Sequence, residues 1–262
     1  MLKEIIISLQ AYYHAHQFIN KHRLWKWILI PGIIYAFLFC IGIYFFTVSS
    51  NSAIDFMLQQ MGMREWMDKM QNSWLSFLLI FAQLILNLIL LLFYFSLFKY
   101  LFLIIGSPLF AYLSEKTIAI IEGEEYPFNF KQLIKDMIRG IRLALRNMLW
   151  QTVYVISILI LSFIPLLGWI TPLLALLVEC YYLGFSMLDY SCERNKLSSV
   201  QSINFIGRHK GYAIGNGMVF YLMHIVPIVG WVLAPSYAVI AATINLYNAQ
   251  NDVNTVNEKV NL

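Results

Sequence analysis

One acidic side chain lies inside a long apolar stretch of this 262-residue chain. Glu179 is the single formal charge between residues 147 and 188. A carboxylate that faces lipid costs several kcal/mol, so we expect Glu179 to face protein or water. Two roles stay open for Glu179. It lines a possible pathway through the membrane, or it is a partly buried structural acid that is hydrogen-bonded to a tyrosine or a basic residue.

Other polar residues favour structural roles. Asn87 and Gln83 are four residues apart and share a helix face, from which they can bond across helices or line a pathway. His14 and His16 form an H-x-H pair, but a metal site needs further ligands and none is evident nearby. The sequence holds no nucleophile elbow, phosphate-binding loop or paired-acid arrangement. We therefore predict no enzyme, no metal and no cofactor.

The composition indicates that lipid is the main solvent of this chain. Hydrophobic residues make up 60% of it, charged residues only 12%, and the mean hydropathy is +0.67. An ordinary soluble domain has about 25% charged residues, and one soluble core cannot bury so much apolar surface. The net charge of +4 is modest and lies in the loops, so nucleic-acid binding is not predicted. The fold class predicted is an all-α integral membrane protein.

Long apolar stretches define the elements of a single predicted membrane domain, residues 1–262. Residues 27–48 and 74–105 are each long enough to form a transmembrane helix. Ser107-Pro108 predicts a new helix start, because the hydroxyl caps free N–H groups and proline suits the first helical position. Residues 108–146 are predicted to form cytoplasmic or interfacial helices.

The second of these interfacial segments is cationic and amphipathic. Its apolar face is opposed by a basic face made of Lys131, Lys135, Arg139, Arg142 and Arg146. The segment lies either against anionic lipid or over the protein's own base, and both positions mark the cytoplasmic side.

Two further apolar stretches, residues 147–188 and 211–251, are each two segments long. Each holds a Pro-x-x-Gly-Trp motif near its midpoint, so both must fold into hairpins, and the two copies are offset by 62 residues. The predicted turn residues are Pro165, Gly168, Pro227 and Gly230. Full crossing and partial, re-entrant penetration both remain open, with the turn chemistry favouring the second.

Basic residues also set the predicted orientation. The first 26 residues carry four Lys or Arg against one Glu, whereas the loop 49–73 carries two against three acids. The loop 189–210 is again rich in Lys and Arg. By the positive-inside rule, the N- and C-termini are predicted to be cytoplasmic.

Several short motifs occur in an order and spacing that resemble a known family. They are Ser107-Pro108-Leu109-Phe110 with Leu113-Ser114-Glu115, Phe163-Ile164-Pro165-Leu166-Leu167-Gly168 with Pro172, Leu188-Asp189-Tyr190 with Arg194, and Val226-Pro227 through Pro235 to Ala241-Ala242-Thr243. Over residues 12–247 the chain resembles the CysZ family of sulfate permeases and the related etoposide-induced membrane-protein family. The resemblance implies two long transmembrane helices, two hairpins that enter the membrane partway, an oligomer, and sulfate passage toward cysteine synthesis.

The resemblance also implies an anion site before the first long helix. There the family has a glycine and two arginines; in this chain Arg23 stands at the glycine position and Trp25 and Lys26 at the basic positions. Arg23, Lys26 and the N–H groups of a helix N-terminus can hold a doubly charged oxyanion. Alternatively, the two cations lie at headgroup level and only set orientation.

Together these observations predict a multi-pass permease or channel of the inner (plasma) membrane for sulfate or a similar oxyanion. Passage is predicted to be energy-independent, and the partners are the anion, membrane lipids and further copies of the chain. The alternative is a non-transporting membrane scaffold or lipid-interacting protein.

Overall fold

The computed structural model describes residues 1–60, 98, 100–124, 130–162, 170–194, 197–226 and 228–260. Every regular element in those ranges is an α-helix, which confirms the predicted all-α class. The helices are α1 (Leu2–His22), α2 (Trp25–Gln60), α3 (Tyr100–Glu122), α4 (Phe130–Ser162), α5 (Thr171–Arg194), α6 (Ser199–Arg208), α7 (Lys210–His224) and α8 (Val229–Val260).

Four of the described helices contain a segment long and apolar enough to cross a membrane. These segments are Trp25–Ser49, Tyr100–Glu122, Thr171–Glu193 and Val229–Ala249. The first contains the predicted span 27–48, and the last two are the second arms of the two predicted hairpins. The chain is therefore an all-α membrane protein. Most of the other predicted span, 74–105, lies outside the described residues.

The predicted helix start at Ser107-Pro108 is wrong, because α3 continues through both residues. Proline has no N–H with which to bond the carbonyl of Ile104, one turn earlier. The Ser107 hydroxyl donates to that carbonyl at 3.0 Å instead. Serine therefore satisfies the acceptor that proline leaves open, as happens in membrane helices that contain proline.

The structure describes the first arm of hairpin 1 and most of the turn of hairpin 2. The first arm of hairpin 1 and the predicted amphipathic segment before it form one continuous helix, α4. In hairpin 2, Ile228 takes a left-handed conformation with φ 63°. Gly230 lies in the first turn of α8, where a Cβ would meet the Met223 carbonyl oxygen of α7. Gly230 therefore allows the close approach of the two arms, and Ile228 makes the turn.

The described chain forms two compact units. One comprises Met1–Ala36 with Tyr100–Leu262, and the other is Phe37–Lys99. In the second unit, the rings of Phe39 and Phe98 pack with their centroids 5.4 Å apart. The core of the first unit is built on α8, whose residues 238–242 have no solvent-exposed surface.

Polar contacts tie α1 to α7 within the first unit. Glu4 accepts from the Gly211 N–H at 3.1 Å and contacts His209 Nδ1 at 3.0 Å, so its carboxylate caps the start of α7. Two turns further along α1, the Tyr12 hydroxyl donates to the Asn216 carbonyl at 2.8 Å. Burial raises the pKa of Tyr12 well above its usual value, which keeps this phenol a neutral donor.

Reciprocal glycines bring α5 and α7 into backbone contact. A Cβ at Gly184 on α5 would fall on the Ala213 carbonyl oxygen of α7, and a Cβ at Gly217 on α7 would fall on the Cys180 carbonyl oxygen of α5. Small residues at such crossings allow membrane helices to approach closely. The two hairpins therefore join through an interface that has no room for a methyl group.

We expect Gly184→Ala and Gly217→Ala each to destabilise the protein by about 1–3 kcal/mol, because the added methyl forces the helices apart. Gly207→Ala is the matched control, since a Cβ there meets nothing within 4 Å. Thermal unfolding of the purified variants measures the effect. Equal unfolding midpoints for all three would contradict this account of the interface.

Candidate functional site

The corner between α1 and α2 places the two predicted anion ligands at one helix start. Arg23 is the residue after α1 and takes the left-handed conformation, φ 52° and ψ 43°. Its N–H and that of Leu24 both reach the Ile19 carbonyl. This conformation closes many helices and favours glycine. Glycine, which the family resemblance implies at this position, would take this conformation at little cost.

Both cations are exposed at the N-terminal end of α2. Among the side chains that the structure describes, neither Arg23 nor Lys26 takes part in an ion pair. The positive end of the α2 dipole adds to their charge. The arrangement can attract and hold an anion without first breaking an internal salt bridge.

Trp25, between these two cations, belongs to a chain of side-chain hydrogen bonds that ends on α8. Its indole N–H donates to Asn20 Oδ1 at 3.2 Å, and the Asn20 amide lies 3.0 Å from His16 Nε2. His16 Nδ1 is in turn 2.8 Å from the Tyr237 hydroxyl. With a neutral ring, His16 accepts from Asn20 and donates to Tyr237. His16 therefore has a structural partner on each nitrogen, which the H-x-H pattern did not predict.

Glu179 lies in a second polar chain, which crosses between the two hairpins. Its Oε2 accepts from the Tyr221 hydroxyl at 2.8 Å, and its Oε1 accepts from the Gln151 amide. The Gln151 carbonyl oxygen accepts from the Tyr100 hydroxyl. The Glu179 chain therefore joins α3, α4, α5 and α7. The expectation that Glu179 faces protein groups, including a tyrosine, agrees with these contacts.

We expect Glu179→Gln to change anion flux, or its dependence on pH, more than it changes stability. The amide keeps one acceptor, and Tyr221 can turn its hydroxyl to accept from the new NH2, so the cost in stability is below about 1 kcal/mol. Flux into liposomes from pH 5.5 to 8.5, with thermal unfolding in parallel, tests this. Wild-type flux at every pH would leave Glu179 a structural role only.

Two hydroxyl groups from the family-like motifs meet a third in the core. Thr243 Oγ1 lies 3.0 Å from Ser114 Oγ and 2.8 Å from Ser191 Oγ, and all three residues are fully buried. They come from α8, α3 and α5. The motifs at residues 113–115 and 241–243, with Ser191 directly after the motif at 188–190, therefore contribute to one packing centre rather than to an exposed site.

The sequence pattern did not predict the contacts of Arg139. Its guanidinium donates to Asp189 Oδ1 at 2.9 Å, to Ser202 Oγ at 2.6 Å and to the Leu197 carbonyl at 2.5 Å, and it lies 3.7 Å from Glu193. The side chain is only 15% exposed. Arg139 and these partners form the Arg139 cluster, which joins α4, α5 and α6. Arg139 was predicted on the basic face of α4, and its contacts show that it packs on the protein instead of sharing the exposure of Lys131, Lys135 and Arg142.

Several other predicted residues carry no structural test. Asn87, Gln83, Pro165, Gly168 and Pro227 lie outside the described residues.

On α4, Lys131, Lys135 and Arg142 are exposed, as are the apolar side chains of Ile134 and Ile138. Apart from Arg139, α4 therefore exposes both basic and apolar side chains, as the amphipathic sequence pattern predicts.

The elements define a class: an α-helical multi-pass membrane protein with two exposed cations at one helix start and a polar chain between its hairpin helices. The chain matches the family described as "Sulfate transporter CysZ/Etoposide-induced protein 2.4" over residues 12–235. It belongs to that family, which confirms the resemblance seen in the sequence.

Curated relatives carry the name "Sulfate transporter CysZ". That of Pseudomonas aeruginosa is 28% identical over 196 residues, covering 73% of this chain and 78% of the relative. That of Pseudomonas syringae pv. tomato is 29% identical over 185 residues, covering 68% and 72%. That of Pseudomonas fluorescens Pf0-1 is 26% identical over 200 residues, covering 74% and 79%.

Proposed function

We propose that this chain is a permease for sulfate or a similar oxyanion. The observation that carries the proposal is the match over most of the chain to relatives named sulfate transporters. The exposed Arg23 and Lys26, which form no ion pair within the described ranges, supply a binding site of the right charge at the start of an apolar span. The proposal assigns the chain transport, and no catalysis.

Passage is proposed to be energy-independent, because no nucleotide-binding motif accompanies the transport elements in the sequence. The protein is placed in the inner (plasma) membrane with both termini in the cytoplasm, following the excess of basic residues in the first 26 residues. We further propose that the chain forms a homo-oligomer and contacts membrane lipids.

Uptake of labelled sulfate into proteoliposomes that contain no ATP tests the function. We expect saturable uptake above that of empty liposomes, with competition by other tetrahedral oxyanions exceeding that by chloride. Uptake that appears only with ATP would contradict energy independence. Uptake equal to that of empty liposomes, from protein shown to be folded and inserted, would contradict transport.

A non-transporting scaffold or lipid-interacting protein is the second candidate, and one observation favours it. The exposed Lys131, Lys135 and Arg142 of α4 lie on a helix that also exposes Ile134 and Ile138. Such a helix binds anionic membrane surfaces. Binding to vesicles is tested separately from uptake, and strong lipid selectivity without flux would favour this candidate.

A further inference from the structure

A lysine of α3 lies over an aromatic ring in the first turn of α2. The Lys116 Nζ is 4.6 Å from the ring centroid of Trp27 and 6.0 Å from that of Tyr112. The two rings pack with centroids 5.1 Å apart. The Lys116 ammonium therefore has the face of the Trp27 ring as a partner, which favours this position of the side chain.

An ammonium held by a ring face keeps its full charge. A cation–π contact is an attraction to the ring quadrupole, and it leaves N–H donors free for another acceptor. Within the described part of the chain, no carboxylate lies within ion-pair distance of Lys116. The Arg139 cluster differs, because two carboxylates there neutralise the guanidinium.

Trp27 stands next to a residue of the candidate anion site. It is the third residue of α2 and follows Lys26 directly. Its side chain is 41% exposed, and that of Lys116 is partly exposed. Lys116 of α3 therefore lies over a ring at the same end of α2 at which Arg23 and Lys26 lie.

We propose that Lys116 is the third cation of the oxyanion site and donates an N–H directly to the bound anion. The inference rests on the proposed function and deepens it by adding a residue from α3. Three positive charges and a helix dipole favour a divalent oxyanion over a monovalent one, because each contact is stronger with the greater charge. Lys116 is therefore a specificity-determining residue.

Equilibrium binding of sulfate to the purified full chain, in nanodiscs of zwitterionic lipid, tests the inference. We expect Lys116→Gln to weaken sulfate binding about tenfold or more, the loss of one charge-assisted contact. Lys116→Arg keeps the charge and the ring contact and is expected to restore most of the affinity. Lys135→Gln, which removes the same charge from an exposed lysine of α4, is the matched control and is expected to bind as wild type does.

A second measurement uses the wild-type protein and does not depend on how a variant folds. Lysine amines are acetylated with and without sulfate, and the modified sites are read by mass spectrometry. We expect sulfate to protect Lys116 and to leave Lys135 unprotected.

The outcomes separate the inference from the function on which it rests. If the wild type binds sulfate and Lys116→Gln binds it with the same affinity, the role of Lys116 is overturned and the permease proposal stands. The same holds if saturating sulfate does not change the acetylation of Lys116. If the wild type binds none of sulfate, selenate and phosphate, both are overturned.

Discussion

Replacing Arg23 and Lys26 together is expected to abolish saturable sulfate binding while the protein stays folded. Both side chains are exposed and in no ion pair among the described residues, so their loss leaves no buried group without a partner. Each is expected to make a charge-assisted hydrogen bond to the anion, which contributes about 1.5–3 kcal/mol. Losing two such contacts weakens binding by about two orders of magnitude or more.

The choice of substitution at Arg23 follows from its backbone. Alanine keeps the strain of a left-handed residue, whereas glycine takes that conformation at little cost. Arg23→Gly with Lys26→Ala therefore removes both charges and relaxes the corner, and its unfolding midpoint is expected to equal or exceed that of the wild type. Lys131→Ala with Lys135→Ala, on α4, is the control of equal charge.

Binding and uptake of sulfate are measured for both pairs of variants. The pair at the α1–α2 corner is expected to lose both activities, and the α4 pair to keep both. Unchanged sulfate affinity in the corner variant would exclude this site, and the two cations would then act only in setting orientation. Uptake by the wild type would still establish the permease.

The sequence predicted those elements whose signal is local and repeated. A charge-free run marks α2, and the second Pro-x-x-Gly-Trp motif, residues 227–231, overlaps the break between α7 and α8. The first copy, residues 165–169, lies outside the described residues, so the turn of hairpin 1 stays a prediction. Glu179 could be singled out for the same reason, because a lone charge in an apolar run has few acceptable positions. Its partners Tyr100, Gln151 and Tyr221 are distant in sequence, and only the packing of four helices reveals them.

Other features depend on context that no local pattern contains. Ser107-Pro108 is a standard helix-start pair, and α3 passes through it because the serine hydroxyl replaces the missing N–H. Arg23 adopts a conformation that its residue type disfavours, since the corner between α1 and α2 requires it. At Ser107 a hydrogen bond within α3 offsets the preference of the residue pair, and at Arg23 the connection between two helices overrides it.

The Arg139 cluster shows that the spacing of basic residues along a helix also does not predict which of them is buried. Periodicity places Arg139 on the basic face of α4 beside Lys135 and Arg142, and nothing in that pattern distinguishes it from them. The distinguishing partners are Asp189 and Glu193, some 50 residues further along the chain. A basic helix face can therefore be partly an exposed surface and partly an internal ion pair.

The second prediction with a large effect follows from that burial. Arg139→Met leaves Asp189, which is only 5% exposed, without its cation. Removing one partner of a buried ion pair costs about 3–5 kcal/mol, because the other charge stays desolvated. We expect the unfolding midpoint to fall by on the order of 10 °C. Arg142→Met, the exposed neighbour one turn away, is expected to leave it within about 2 °C.

A double variant separates the ion pair from simple loss of packing. In Arg139→Met with Asp189→Asn the uncompensated charge is gone, so the combined loss is expected to be smaller than the sum of the two single losses. Additive losses would mean that the two side chains stabilise the fold independently. If Arg139→Met were as stable as Arg142→Met, the cluster would not hold α4 against α5 and α6, and the charge of Asp189 would have to be compensated elsewhere.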